Sequence, residues 1–102
     1  MTPEKKVKNK VVKILKANDC YHFYASTGGY GSSGVPDIIA CYKGMFLGIE
    51  CKANGNKPTA LQNRNLSDIR KAGGYSMVID ETDLDALELF FKTQDINLLR
   101  DK

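Results

Sequence analysis

The chain has 102 residues, 42% of them hydrophobic, only three prolines and a net charge of +3, which fits one globular domain over residues 1–102 and leaves little room for a second core. No apolar run approaches the roughly 18 residues needed to span a membrane, and the lysine-rich N-terminus lacks a signal peptide's apolar stretch, so an intracellular protein is expected. The three cysteines Cys20, Cys41 and Cys51 are an odd number without C-x-x-C spacing, which argues against a disulfide framework or zinc site and for reduced, largely buried thiols.

Thr2-Pro3-Glu4 predicts a helix start, with Thr2 as N-cap, Pro3 at the first helical position and Glu4 at the positive end of the dipole. Val7, Val11, Ile14 and Leu15 form its apolar stripe, and the helix should end near Asn18. A short strand is expected over Tyr21 to Ala25, a loop over Ser26 to Val35, a second strand over Pro36 to Tyr42 and a third over Met45 to Cys51. Lys43-Gly44 reads as the tight hairpin turn between the last two. After the polar stretch Asn54 to Pro58, a second helix begins at Thr59 and runs to about Ala72, stopping at Gly73-Gly74. Tyr75 to Ile79 is a fourth strand. Thr82 is then the expected cap of a third helix with Leu84, Leu87, Phe90 and Phe91 inward, and the tail after Thr93 continues as a short helical or irregular segment. The predicted order is α-β-β-β-α-β-α.

Charge is unevenly placed. Residues 1–80 carry 12 Lys/Arg against 6 Asp/Glu, and residues 81–102 carry 3 against 6. Lys5, Lys6, Lys8, Lys10, Lys13 and Lys16 fall on the first helix, and Lys57, Arg64, Arg70 and Lys71 on or near the second, a clustering that suits a polyanion's phosphates or a merely solvated face.

The run Gly29-Tyr30-Gly31-Ser32-Ser33-Gly34 spells G-x-G-x-x-G, but a dinucleotide site needs a helix after the glycines. Val35-Pro36-Asp37-Ile38-Ile39 favours extended chain instead, and no Gly-Lys-Ser/Thr is present, so neither a dinucleotide site nor a P-loop is expected. The glycines would let backbone amides approach phosphates, with Ser26, Thr27, Ser32 and Ser33 placed for contact and Tyr30 for stacking on a base; a loop without any contact is the plain alternative.

If Lys43-Gly44 is a two-residue turn, Tyr42 pairs with Met45, and counting back sets Asp37 opposite Glu50 on one face. Two carboxylates at that spacing repel unless a proton or a cation intervenes, and Mg²⁺, which prefers oxygen ligands and keeps several waters, would resolve the conflict. Lys52 shares the face of Glu50 while Cys51 points to the other. A four-residue turn would instead set Asp37 against Lys52 as a structural ion pair. Glu4 precedes Val7, Val11 and Leu15 on the inward face of the first helix and could reach a metal, or could simply complement the helix dipole. Gln62 shares a face with Leu66 and Ile69, yet Thr59-x-x-Gln62 is also a capping box. His22, the single histidine, reads as an ordinary strand residue.

Pro36-Asp37 followed by Glu50-Cys51-Lys52 resembles the PD-(D/E)XK nuclease signature, and with Glu4, Gly34, Gln62 and Ala72-Gly73-Gly74 around it the chain looks most like the VRR-NUC branch, the virus-type replication-repair nucleases. The resemblance implies a restriction-endonuclease-like α/β core, a mixed four-stranded β-sheet flanked by helices. It implies Asp37, Glu50, the Cys51 backbone carbonyl and Glu4 as metal ligands, Lys52 as catalytic lysine with Gln62 beside it, and Mg²⁺ as cofactor with Mn²⁺ able to substitute. The expected activity is a structure-specific endodeoxyribonuclease resembling Holliday-junction resolvases, acting as a homodimer on four-way DNA in a bacterial or phage-infected cell. Lys5, Lys8, Ser26, Thr27, Ser33, Lys57 and Arg64 are the expected DNA contacts. A noncatalytic DNA-binding module of a repair or replication complex is the alternative, against which the joint presence of Asp37, Glu50 and Lys52 counts.

Overall fold

The computed structural model describes residues 1–25 and 34–99. Its elements are α1 (Pro3–Ala17), β1 (Tyr21–Tyr24), β2 (Ile38–Tyr42), β3 (Met45–Cys51), α2 (Ala60–Lys71), β4 (Tyr75–Ile79), α3 (Leu84–Thr93) and a 3₁₀ turn over Ile96–Leu99. The strands form one sheet in the order β1-β2-β3-β4, antiparallel except for the β3/β4 pair, which is parallel. This is the expected mixed four-stranded sheet. Its single parallel pair follows from the α2 crossover, since a parallel return needs a long connection.

Local chemistry sets the element ends. Thr2 Oγ1 accepts the Lys5 N–H at 3.1 Å at the start of α1, and Asn18 closes the helix by donating its side-chain amide to the Ile14 carbonyl at 2.8 Å. α2 begins with a complete capping box: Gln62 N–H donates to Thr59 Oγ1, and the Thr59 N–H donates to Gln62 Oε1 at 2.9 Å. α3 departs from expectation. Its N-cap is Asp83, because Thr82 donates both its N–H and its hydroxyl to Asp80 Oδ1 and is held in the preceding turn. β2 also starts two residues later than Pro36. Pro36 has no N–H for the ladder, and Asp37, whose carbonyl still accepts the Ala25 N–H, turns its carboxylate onto the backbone of β3.

One face of the sheet carries the core. Ile38, Ala40 and Tyr42 of β2, Leu47, Ile49 and Cys51 of β3, and Met77 and Ile79 of β4 pack with Val7, Val11 and Leu15 of α1 and Leu87, Phe90 and Phe91 of α3. Tyr42 meets Phe91 edge to face at 4.8 Å and donates its hydroxyl to the Phe91 carbonyl, so its polar end is satisfied within the core. α2 packs over β3 and β4 on the opposite face, where buried Ser76 donates to the Leu66 carbonyl and receives the Arg70 guanidinium. The β1 side of that face stays open. Tyr21, Phe23 and Phe46 are exposed there, and so is Cys41, which corrects the expectation of largely buried thiols; Cys20 and Cys51 are buried as expected.

Lys43 and Gly44 both have positive φ, 49° and 82°, the signature of a two-residue hairpin turn, and Tyr42 pairs with Met45. The longer turn that would have opposed Asp37 to Lys52 is thereby ruled out. Gly34, the last glycine of the G-x-G-x-x-G run, has φ of 108°, and a Cβ there would come within 2.7 Å of Leu61 Cγ and 3.1 Å of the Leu61 backbone carbon. It lets the chain pass under the first turn of α2 on its way to Asp37. Gly34→Ala is therefore expected to destabilise the protein by about 1–3 kcal/mol, read as a lowered urea midpoint without a change in slope.

Candidate active site

The β2/β3 register runs Tyr42 with Met45 through Ile38 with Ile49, so its next step sets Asp37 level with Glu50. At this end of the pair Asp37 Oδ2 accepts the Cys51 N–H at 2.8 Å. That bond holds the carboxylate against β3, one residue from Glu50. Alternation along β3 sends Cys51 into the core and leaves Glu50 and Lys52 together on the other face, their Oε2 and Nζ 3.4 Å apart.

Burial makes this pair unusual. The Glu50 side chain is 3% exposed and that of Lys52 12%. Glu50 Oε1 is buried without a hydrogen-bond partner. Loss of hydration raises the Glu50 pKa to about 7, the neighbouring Asp37 charge pushes in the same direction, Lys52 opposes both, and Glu4 adds a small upward contribution. The thiol of Cys51 is driven up by burial and by Asp37, so it remains a protonated, apolar anchor for the strand.

α1 supplies the rest of the site. Lys8 Nζ lies 3.7 Å from Asp37 Oδ1, a partly exposed ion pair that sequence spacing does not reveal and that gives Lys8 a partner besides the expected DNA. Glu4, partly buried one turn earlier, is near enough to influence the charge of Glu50. Gln62 is also partly buried, but its amide oxygen is engaged in the α2 cap, as the capping-box alternative requires. Lys5 and Arg64 are exposed, and Lys57 lines a separate cavity of about 690 Å³ between α2, β4 and the 3₁₀ turn. Ser26, Thr27 and Ser33, with Tyr30 and Ser32, lie outside the described residues. His22 lies on β1 with its Nδ1 3.0 Å from the Cys20 carbonyl, away from the carboxylates.

The donor set suits a hard divalent cation. Asp37 and Glu50 contribute two neighbouring carboxylates, one with an unused buried oxygen, and such ions need only one or two carboxylates because they retain water. Among the described residues no group of three or more His, Cys, Asp or Glu side chains is already gathered as a metal site, so Glu4 is not drawn in with the other two. Among the same residues no helix is long and apolar enough to cross a membrane.

Sheet order, helix placement and the Pro36-Asp37, Glu50-Cys51-Lys52 arrangement define a nuclease of the PD-(D/E)XK class. The chain belongs to the archaeal Holliday junction resolvase (Hjc) family, which matches residues 5–78. It is 38% identical over 81 residues to "Putative nuclease p44" of Acyrthosiphon pisum secondary endosymbiont phage 1, covering 78% of this chain and 84% of that one. Among solved structures, a VRR_NUC domain superposes with a TM-score of 0.72 at 24% identity over 85% of this chain and 95% of its own. Hjc of Archaeoglobus fulgidus, a Holliday junction resolvase from an archaeal hyperthermophile, superposes with a TM-score of 0.58 at 19% identity, covering 74% of this chain and 66% of that one.

The raised pKa of Glu50 fixes the sign of a pH effect. The folded carboxyl keeps its proton up to about pH 7, whereas the unfolded one releases it near 4.5. Its stabilising contribution is therefore full below pH 4.5 and lost as pH rises through 7. In EDTA, Glu50→Gln is expected to raise stability at pH 8 by on the order of 2–3 kcal/mol and to leave it nearly unchanged at pH 4.5, measured by urea unfolding at both values.

Proposed function

We propose that this protein is a divalent-metal-dependent endodeoxyribonuclease that acts on branched DNA, as the A. fulgidus resolvase is named for doing. The observation that carries the reading is the buried Glu50 oxygen without a partner, set beside Asp37 and within reach of Lys52. Asp37, Glu50 and the Cys51 backbone carbonyl would hold Mg²⁺, or Mn²⁺ in its place, with Glu4 of α1 as a further carboxylate for the ion. When bound, such an ion polarises a phosphoryl oxygen and furnishes a water nucleophile at neutral pH. Lys52, anchored by Glu50, presents its ammonium where negative charge grows on the attacked phosphate. Asp37, fixed by the Cys51 N–H, keeps its second oxygen directed towards cations.

Recognition of DNA shape and phosphate geometry, rather than base sequence, is what exposed lysines and arginines around the site would supply. Lys5, Lys57 and Arg64, with Ser26, Thr27 and Ser33, are the proposed phosphate contacts, and Gln62 holds α2 beside Lys52 through its cap. Residues 1–102 act as one domain, and two copies pair so that both strands at a junction are cut. The phage relative fits action inside an infected bacterial cell.

Cleavage of end-labelled four-way junction, splayed-arm and linear duplex DNA in Mg²⁺, Mn²⁺ and EDTA tests the reading. Metal-dependent cuts confined to the branched substrates, and paired in the four-way junction, are expected, with Asp37→Asn and Lys52→Ala each lowering kcat by about 10²–10³-fold. Cutting of every substrate would remove the junction preference, and binding without any cutting would leave a noncatalytic module. Lys8 gives an independent handle, since its ammonium stands at Asp37 in a cation's place. Lys8→Met is expected to tighten Mn²⁺ binding by about 5-fold or more in calorimetry, because a competing charge is gone. Unchanged Mn²⁺ affinity with weaker DNA binding would make Lys8 a phosphate contact alone.

A further inference from the structure

A second cavity, of about 630 Å³, opens between α1 and the edge strand β1. Asn9, Val12, Lys13 and Lys16 line one wall and His22, Phe23 and Tyr24 the other. Among the described residues no carboxylate lines it. Lys13 and Lys16 are exposed, Tyr24 is 52% exposed, and Val12 gives an apolar floor between them. The volume lies within the roughly 300–1,000 Å³ of ordinary ligand sites, so it admits a nucleotide.

The position of this groove is set by the helix that also serves the active site. Asn9, Val12, Lys13 and Lys16 follow the i, i+3, i+4, i+7 spacing of one helical face, turned away from the buried Val7, Val11 and Leu15. Lys8, paired with Asp37, lies eight residues before Lys16, or about 12 Å along the axis. β1 ends at Tyr24, immediately before Ala25, whose N–H is bonded to the Asp37 carbonyl. The aromatic end of the groove thus abuts the candidate catalytic row, and the lysine end lies farther out.

We propose that this groove holds an unpaired DNA strand leading from the cleavage point, with Lys13 and Lys16 on its phosphates and one base stacked on Tyr24. The proposal rests on the nuclease reading for the location of the cut and adds a substrate class to it: DNA whose strand is single beside the attacked phosphate. Duplex alone would use the lysines. Only an unstacked base can use the exposed face of an aromatic ring. His22 contributes its ring to the same wall, with Nδ1–H donating to the Cys20 carbonyl and Nε2 left to accept from an amino group on a nucleobase edge.

Fluorescence anisotropy in EDTA, with a labelled single strand, a splayed-arm DNA and a blunt duplex, tests this without turnover. Tyr24→Leu is expected to weaken single-strand and splayed-arm binding by about 5- to 50-fold while duplex affinity stays within error. Tyr24→Phe, which keeps the ring, should bind as the unmodified protein and guards against a folding artefact in the leucine variant. The double variant Lys13→Gln/Lys16→Gln should reduce the single-strand salt slope by about 1.4. Equal losses on duplex and splayed DNA, or none on either, would overturn the groove. If these binding results hold while Mg²⁺ produces no cleavage, the nuclease reading fails and the groove stands. Metal-dependent cleavage by variants whose single-strand binding is unchanged keeps the nuclease reading and removes the groove.

Discussion

The two-residue turn at Lys43-Gly44 is the constraint on which the site depends. In a sheet a register shift by one residue sends every side chain to the opposite face, and a shift by two changes every partner. With Tyr42 fixed opposite Met45, the row Ile38/Ile49 closes the ladder and the next row brings Asp37 to Glu50. No other pairing places both carboxylates where Lys52 also stands. The turn lies at the far end of the hairpin from the chemistry, and it acts only through the intervening ladder.

Carboxylates forced together in a buried site are a cost to the folded chain, and the surrounding structure shows how it is carried. Alternation puts Cys51 between Glu50 and Lys52 but on the core face, where it is fully buried with Ile49 and Leu47. The same strand is thereby anchored on one side while its other side bears charge. Lys52 offsets part of the Glu50 charge and the Cys51 N–H satisfies one oxygen of Asp37, yet Glu50 Oε1 stays unsatisfied. A buried carboxylate oxygen without a partner carries its desolvation cost uncompensated. A cation beside Glu50 and Asp37 would supply the missing partner, and that is the demand the proposed metal site answers.

Much of this was legible in the sequence because its signals are local. Lys43-Gly44 marked the hairpin, with the four-residue turn excluded only by the observed register, alternation identified the faces of β3, and β3 and β4 begin and end where their residue patterns predict. The proline and the Asp37 side chain together explain why β2 starts late. What sequence could not supply is the angle at which α1 crosses the sheet, and the Lys8 to Asp37 pair depends on that angle. The exposure of Cys41 is a similar case: its strand is internal, but α2 shields only the β3/β4 side of the face, leaving the row Tyr21, Cys41 and Phe46 open. Thr82 is a cap by residue type, but the turn through Asp80 engages it and moves the cap to Asp83.

α1 joins these levels. At 100° per residue, Val7, Val11 and Leu15 point to the sheet, Glu4 and Lys8 fall within the same arc but nearer the strand ends, and Asn9, Lys13 and Lys16 lie nearly half a turn away. The apolar stripe therefore fixes not only the depth of the core but the separation between the Asp37 region and the lysines of the β1 groove. A DNA strand that spans both would read a distance set by Leu15 and Val11, residues that never touch it. If the proposed groove guides a strand to the Asp37 region, substitutions in that stripe should alter substrate preference through geometry while leaving every charged group in place.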